Sequence, residues 1–271
     1  MLFRSLSVFD FTFSLTQTYT FWGGALGGMF LTSATHGTDQ LFVQRLLAAR
    51  NESDSRKALF GSWVVIFFQF ALFLVIGILL FAFYHKHPPA QPFPRTDAIF
   101  PTYIVEHLPR GISGLVVAAI LAAAMSNLSA ALNSLASTTI VDFYKPWLGD
   151  RRDEKHYLLV SRLATLGWAG VMILIAIAVA GGSTSVFELG LSLASVAYGS
   201  LLGTFMLGVL TRRANQNGSI VGMLAGLAVM ICVYKFTKIS WTWYVLIGTT
   251  VTFTVGYLAS LMSNEARETG T

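Results

Sequence analysis

The chain has 271 residues, of which 54% are hydrophobic and only 11% charged, with a formal net charge of +5. Soluble domains carry roughly 25% charged residues, so this composition excludes an ordinary water-soluble protein and implies a multi-span protein whose main partner is the lipid bilayer. The single cysteine excludes an intrachain disulfide and a cysteine-built metal centre, and the modest positive charge gives no reason to expect nucleic acid.

Met1 to Asp10 and the following "FDFTFSLTQTYT" lack the clean apolar core and small-residue cleavage site of a signal peptide. Seven stretches then reach the length a membrane span needs, roughly 20 apolar residues. They lie at about 16–36, 58–84, 111–143, 157–181, 184–210, 218–236 and 241–262. The first contains "FWGGALGGMFLTSATHGTDQ", with glycines at 23, 24, 27, 28 and 37 and a second half that turns polar at Thr32, Ser33, Thr35 and His36. A glycine-interrupted, polar-ended span points to a discontinuous helix at an intramembrane binding site. The alternative is a glycine packing face with a helix end at the inner interface. Next, "GTDQLFVQRLLAARNESDSRK" reads as an amphipathic segment and a turn, suited to the bilayer interface or to a solvated loop.

The connection from His85 to Arg110 holds six of the seven prolines and is expected to form an ordered cap. Within it, "DAIFPTYIVEHLP" has helical spacing. The third span carries "LAAAMSNLSAALNSLAS", from Leu121 to Ser137. On a helical wheel, Ala119, Ala130, Asn133 and Ser137 fall within about 40° of Ser126, while Val117, Leu121, Leu128, Leu132 and Leu135 crowd the opposite face. One face suits lipid; the other must meet protein, water or an ion. Small and hydroxyl residues also let membrane helices pack closely. Ala123, Ser126 and Asn127 nevertheless have the i, i+3, i+4 spacing that directs a carbonyl and two side-chain oxygens to one point. Glu188 lies near an outer end and Asp142 near an inner end, so no carboxylate sits centrally in a span. Proton relays use buried acids or histidines, whereas neutral oxygens suit a hard cation such as sodium. Tight hairpins are expected at "AGGSTS" near 181 and "KFTKIS" near 237.

Twelve of the 18 Lys and Arg residues fall on one side of this seven-span arrangement. By the positive-inside rule that side is cytoplasmic, with the N-terminus outside and the C-terminus inside.

The segments "GTDQLFVQRLLAARNESDSRKAL", "FPTYIVEHLPRGISGLVVAAILAAAMSNLSAALNSLASTTIVDFYKPWL" and "SVAYGSLLGTFMLGVLTRRAN" resemble the sodium/solute symporter family, which includes sodium/glucose, proline and sialic acid cotransporters. The resemblance runs from about Phe9 to the last span. It implies an all-α membrane protein with the second half of a leucine-transporter-type inverted-repeat fold: core helices six to ten at about 16–210 and two peripheral helices at about 218–262. Carried over by motif, Ala123, Ser126 and Asn127 take sodium-site positions on core helix eight, and Ser129 a second ion position. Asn127 replaces the usual Ser or Thr, and Ala130 departs from the second-site pattern. Thr32, Thr35 and His36 take solute-contacting positions on core helix six, where the glucose branch has Asn, Tyr and Trp.

The resemblance implies a plasma-membrane symporter of a small organic solute with Na⁺ as coupling ion, present as a C-terminal fragment. Its sites would need the missing N-terminal repeat, so the chain alone is not expected to transport. Alternatives are a non-transporting membrane module or half of a split transporter. "HGTDQ" places His36 and Asp39 three residues apart, yet no metalloprotease or nucleophile-elbow motif accompanies them. The chain is not expected to be an enzyme or to bind a metal other than sodium.

Overall fold

A computed structural model describes residues 10–89, 91–148, 153–180 and 185–268. Among them the regular structure is helical, with no strand. The chain divides into two compact units, residues 1–78 with 186–271 and residues 79–185.

The first unit opens with a bent, non-helical segment over 10–20, whose ends meet where the Asp10 carbonyl accepts the Phe21 amide at 2.7 Å. A helix follows it, with a π turn over Gly23–Gly27 near its start, and continues without a gap as α1, Gly28–Thr38. The short helix α2, Gln40–Leu47, comes next, then α3, Glu52–Lys86, whose last turns belong to the second unit. Asn51 starts α3 by accepting the Asp54 amide at 2.8 Å, and Glu52 and Asp54 sit in the first turn, where the helix dipole favours acids. The unit closes with α8, Val186–Leu210, α9, Gln216–Phe236, and α10, Tyr244–Glu268.

Glycine lets α8, α9 and α10 meet backbone to backbone. Gly218, Gly222 and Gly226 recur every fourth residue on α9 and are buried. A β-carbon at Gly222 would lie 2.6 Å from the Thr252 carbonyl oxygen and 2.7 Å from Gly256 Cα. On α8, a β-carbon at Gly199 would lie 2.9 Å from Gly248 Cα. In a bilayer, where apolar burial does not separate helix from lipid, such close van der Waals packing holds helices together. Thr249 adds a hydrogen bond across the junction, donating to the Gly199 carbonyl at 3.2 Å. The start of α9 is fastened by Asn215, whose Oδ1 accepts the Gly218 amide at 2.8 Å and whose Nδ2 donates to the Ser260 carbonyl at 3.2 Å. Replacing Asn215 by alanine is expected to cost about 0.5–2 kcal/mol, the range for loss of an N-cap. Unfolding in detergent measures it, and Asn215→Asp should retain the cap.

The second unit contains α4, Ile99–His107, α5, Arg110–Thr138, the π turn Thr139–Tyr144, α6, Lys145–Leu148, and α7, Glu154–Ala180. Helix α4 confirms the helical spacing read in the proline-rich connection, and Ile104 anchors it with 2% exposure. The cap folds back on itself: the Phe93 ring lies 5.0 Å from Tyr84, and Phe83 meets Tyr103 and His107 edge-on at 5.1 and 4.8 Å. Trp168 of α7 donates to the Thr139 hydroxyl at 2.9 Å, and the Tyr144 hydroxyl lies 2.8 Å from His156 Nε2. These two bonds tie α7 to the π turn that ends α5.

Among the described residues, six helices are long and apolar enough to cross a membrane, matching the second to seventh predicted spans. The first predicted span is shorter. It is helical from Phe21 to Thr38, with the π turn inside it, and its α-helical run has only 11 residues. Apolar side chains on α3, α5 and α7, such as Phe68, Leu115 and Leu166, are two-thirds exposed or more. Surfaces of that kind need lipid or protein against them. The connection over 237–240 is short, as expected, whereas the hairpin near 181 lies outside the described residues.

Candidate functional site

The first group of candidate residues lies on α1. The discontinuity expected in this helix does not appear: the helix runs continuously from Phe21 to Thr38 and carries a π turn at Gly23–Gly27, a feature frequent at functional sites. Gly27 is there because the Thr242 carbonyl leaves no space for a β-carbon. Gly24 and Gly28 have open space beside them and border a cavity of about 970 Å³. Its walls include Tyr19, Trp63, Phe67 and Trp241, with Asp10 at one edge. The Thr12 hydroxyl and backbone amide both donate to Asp10 and hold its carboxyl below the usual carboxylate range.

The polar end of the helix remains unbroken through Thr38. Thr32 is exposed, and Thr35 and His36 are half-buried. The Thr35 hydroxyl donates within the helix, 3.1 Å from the Leu31 carbonyl and 3.0 Å from that of Thr32. His36 Nδ1 lies 3.1 Å from the same Thr32 carbonyl, and its ring lies 5.1 Å from Phe42. The cavity lining ends at Leu31, so Thr32, Thr35 and His36 lie outside it. The Thr35 hydroxyl and His36 Nδ1 thus find their partners within their own helix.

The second group lies on α5, in the other unit. Ala123, Ser126, Asn127 and Ser129 are all exposed. Ser126, Ser129 and Asn133 line an open groove of about 610 Å³ that Thr165 of α7 also borders. Leu128 and Leu132, read from the sequence as the opposite face, border the same groove, and Ala123 and Asn127 are not part of that lining. A sodium ion is held by several oxygens. Two hydroxyls and an amide oxygen fit that chemistry but do not by themselves surround an ion. Among the described residues, no group of three His, Cys, Asp or Glu side chains is placed to hold a metal ion.

Two contacts in the first unit had no signal in the sequence. The Tyr19 hydroxyl donates to Glu188 at 2.8 Å, and the Tyr198 hydroxyl donates to Asp39 at 2.9 Å. The first joins the chain just before the first helix to the beginning of α8. The second joins the end of α1 to the middle of α8. The partners are 169 and 159 residues apart, so no local pattern pairs them.

The family model for the sodium:solute symporter family matches residues 7–226. The sodium/sialic acid symporter NanT of Aliivibrio fischeri is 31% identical over 87% of this chain and 47% of its own length. The sodium-dependent multivitamin transporter of Oryctolagus cuniculus is 32% identical over 77% of this chain and 33% of its own. A solved structure of a Na⁺-coupled sialic acid symporter, in a substrate-bound outward-open state, superposes with a TM-score of 0.76 at 26% identity, covering 93% of this chain and 51% of that one. The chain thus spans about half the length, or less, of the relatives it matches.

Proposed function

The chain belongs to the sodium:solute symporter family, and from that premise we propose that its protein couples sodium influx to uptake of a small organic solute across the plasma membrane. The observation that carries this reading is the likeness of nearly the whole chain to a Na⁺-coupled symporter fold. Residues 16–210 act as core helices six to ten and residues 218–262 as two peripheral helices. On α5, the Ala123 carbonyl and the side-chain oxygens of Ser126 and Asn127 contribute to the sodium site, and Ser129 serves a second ion position. On α1, Thr32, Thr35 and His36 exchange hydrogen bonds within the helix for hydrogen bonds to solute. Neither oxygen set encloses its ligand. We assign the remaining contacts to a first repeat of the same transporter, consistent with the greater length of the relatives.

Alternating access follows from differential binding. Sodium and solute stabilise one arrangement of the repeats, and the change of arrangement opens them to the other side. One Na⁺ moving down a 100 mV potential contributes about 2.3 kcal/mol, enough for about fiftyfold accumulation of a neutral solute. The N-terminus is placed outside and the C-terminus in the cytoplasm. The basic residues support this, since twelve of the 18 Lys and Arg fall on the side assigned to the cytoplasm.

Uptake into liposomes containing the full transporter, this chain together with the first repeat assigned to it, tests the reading. A panel should include a sialic acid, a monocarboxylate, a vitamin, a sugar and proline. At least one solute should accumulate under an inward sodium gradient and stop when choline replaces sodium. Uptake unaffected by that replacement would exclude sodium coupling.

A further inference from the structure

Asp39 sits where α1 ends and α2 begins. Its backbone is extended, with φ −76° and ψ 118°, so the chain bends there. Its carbonyl accepts the amides of Phe42 and Val43 at 3.1 and 2.9 Å and so starts α2. Its carboxylate receives the Tyr198 hydroxyl. Tyr198 has a secure base from which to donate. Its ring packs against the buried cluster of Ala34, Leu202 and Val245, which also seats α1 on the rest of the unit. The bend is therefore held through both its backbone and its side chain, and α8 supplies a side-chain restraint.

We propose that Asp39 and Tyr198 are a positioning pair. The Tyr198 hydroxyl holds the α1–α2 bend against α8 and thereby sets the orientation of the turn carrying Thr32, Thr35 and His36. This inference rests on the symport reading for its effect on solute, but not for the restraint itself. His36 is three residues before Asp39 and its ring lies near Phe42, beyond the bend. A bend free to swing would carry Phe42 away from His36 and change the direction of that ring. Tyr19 and Glu188 make a similar bond at the other end, but Tyr19 lies before the helix, so that bond does not govern the bend.

The experiment has two arms on the full transporter in liposomes. In the first, Cys232 is replaced by serine and spin labels are attached at Leu47 on α2 and Leu210 on α8, which are 77% and 63% exposed. Their distance distribution should be narrow in the parent, broaden in Tyr198→Phe and Asp39→Ala, and broaden no further in the double variant. Asp39→Asn keeps an acceptor oxygen and should fall between. In the second arm, Tyr198→Phe should raise the solute KM about tenfold, the scale of a lost hydrogen bond to a charged group, with maximal rate and sodium dependence within about twofold of the parent. An unchanged distance distribution in Tyr198→Phe would overturn the pair, as would a fall in maximal rate at constant KM. A parent protein without sodium-driven uptake overturns the symport reading instead, and the distance arm then decides the restraint alone.

Discussion

Replacing Ser126 and Asn127 together by alanine is expected to raise the sodium concentration for half-maximal uptake about a hundredfold. Each replacement removes one neutral oxygen from the proposed ion site. A polar contact to a charged group contributes about 1.5–3 kcal/mol. Two such losses, even at the low end, amount to about two factors of ten in affinity. The solute KM should rise with them at fixed sodium, because sodium and solute favour the same arrangement. Asn127→Ser should retain most of the function, since serine still offers an oxygen and is a usual residue there. Leu121→Ala, on the opposite face of α5, should leave sodium dependence unchanged. Sodium-dependent uptake is the measurement. A double variant with parental sodium affinity would remove this part of α5 from the site.

Gly222→Leu is expected to have the largest effect on stability. The space a β-carbon would need is occupied by the Thr252 carbonyl and by the backbone of Gly256. Neither is the movable end of a side chain, so α9 and α10 must separate to admit any side chain. Overpacking of tight interiors costs typically about 1–3 kcal/mol and occasionally more, and contact between two backbones puts this site at or above the top of that range. A loss of that size lowers the melting temperature by about 10 °C in a protein of this length. Gly77→Ala is the matched control. Gly77 lies in α3 with nothing within 4 Å of its β-position. Alanine there should be neutral or stabilising by up to about 1 kcal/mol, because it restricts the unfolded chain. Equal melting temperatures for the two variants would contradict the backbone-to-backbone seam.

The spans were legible because composition and length decide them almost without regard to tertiary contacts. The sidedness of α5 was less legible: 100° per residue places Ser126, Ser129 and Asn133 together, but Leu128 and Leu132 from the opposite face line the same groove. The first span was harder. Its glycines announced an interruption, but sequence could not distinguish a π turn at Gly23–Gly27 from an unwound stretch at Thr32–His36. That choice depends on Thr242, more than two hundred residues later, pressing its carbonyl against Gly27. The Tyr19–Glu188 and Asp39–Tyr198 bonds were invisible for a related reason. A lone tyrosine and a lone acid carry no pattern until the fold brings them together.

The distance between those partners along the chain also affects how the protein is made. Ribosomes add about 5–20 residues per second, so about ten to thirty seconds pass between synthesis of Tyr19 and of Glu188. During that interval the first helix has neither its tyrosine bonds nor the α8 surface that covers Ala34. It is also the least apolar of the seven predicted spans at its inner end. Its secure residence in the bilayer therefore awaits translation of α8, and a ribosome stalled before α8 would leave this helix as the segment most readily released to water.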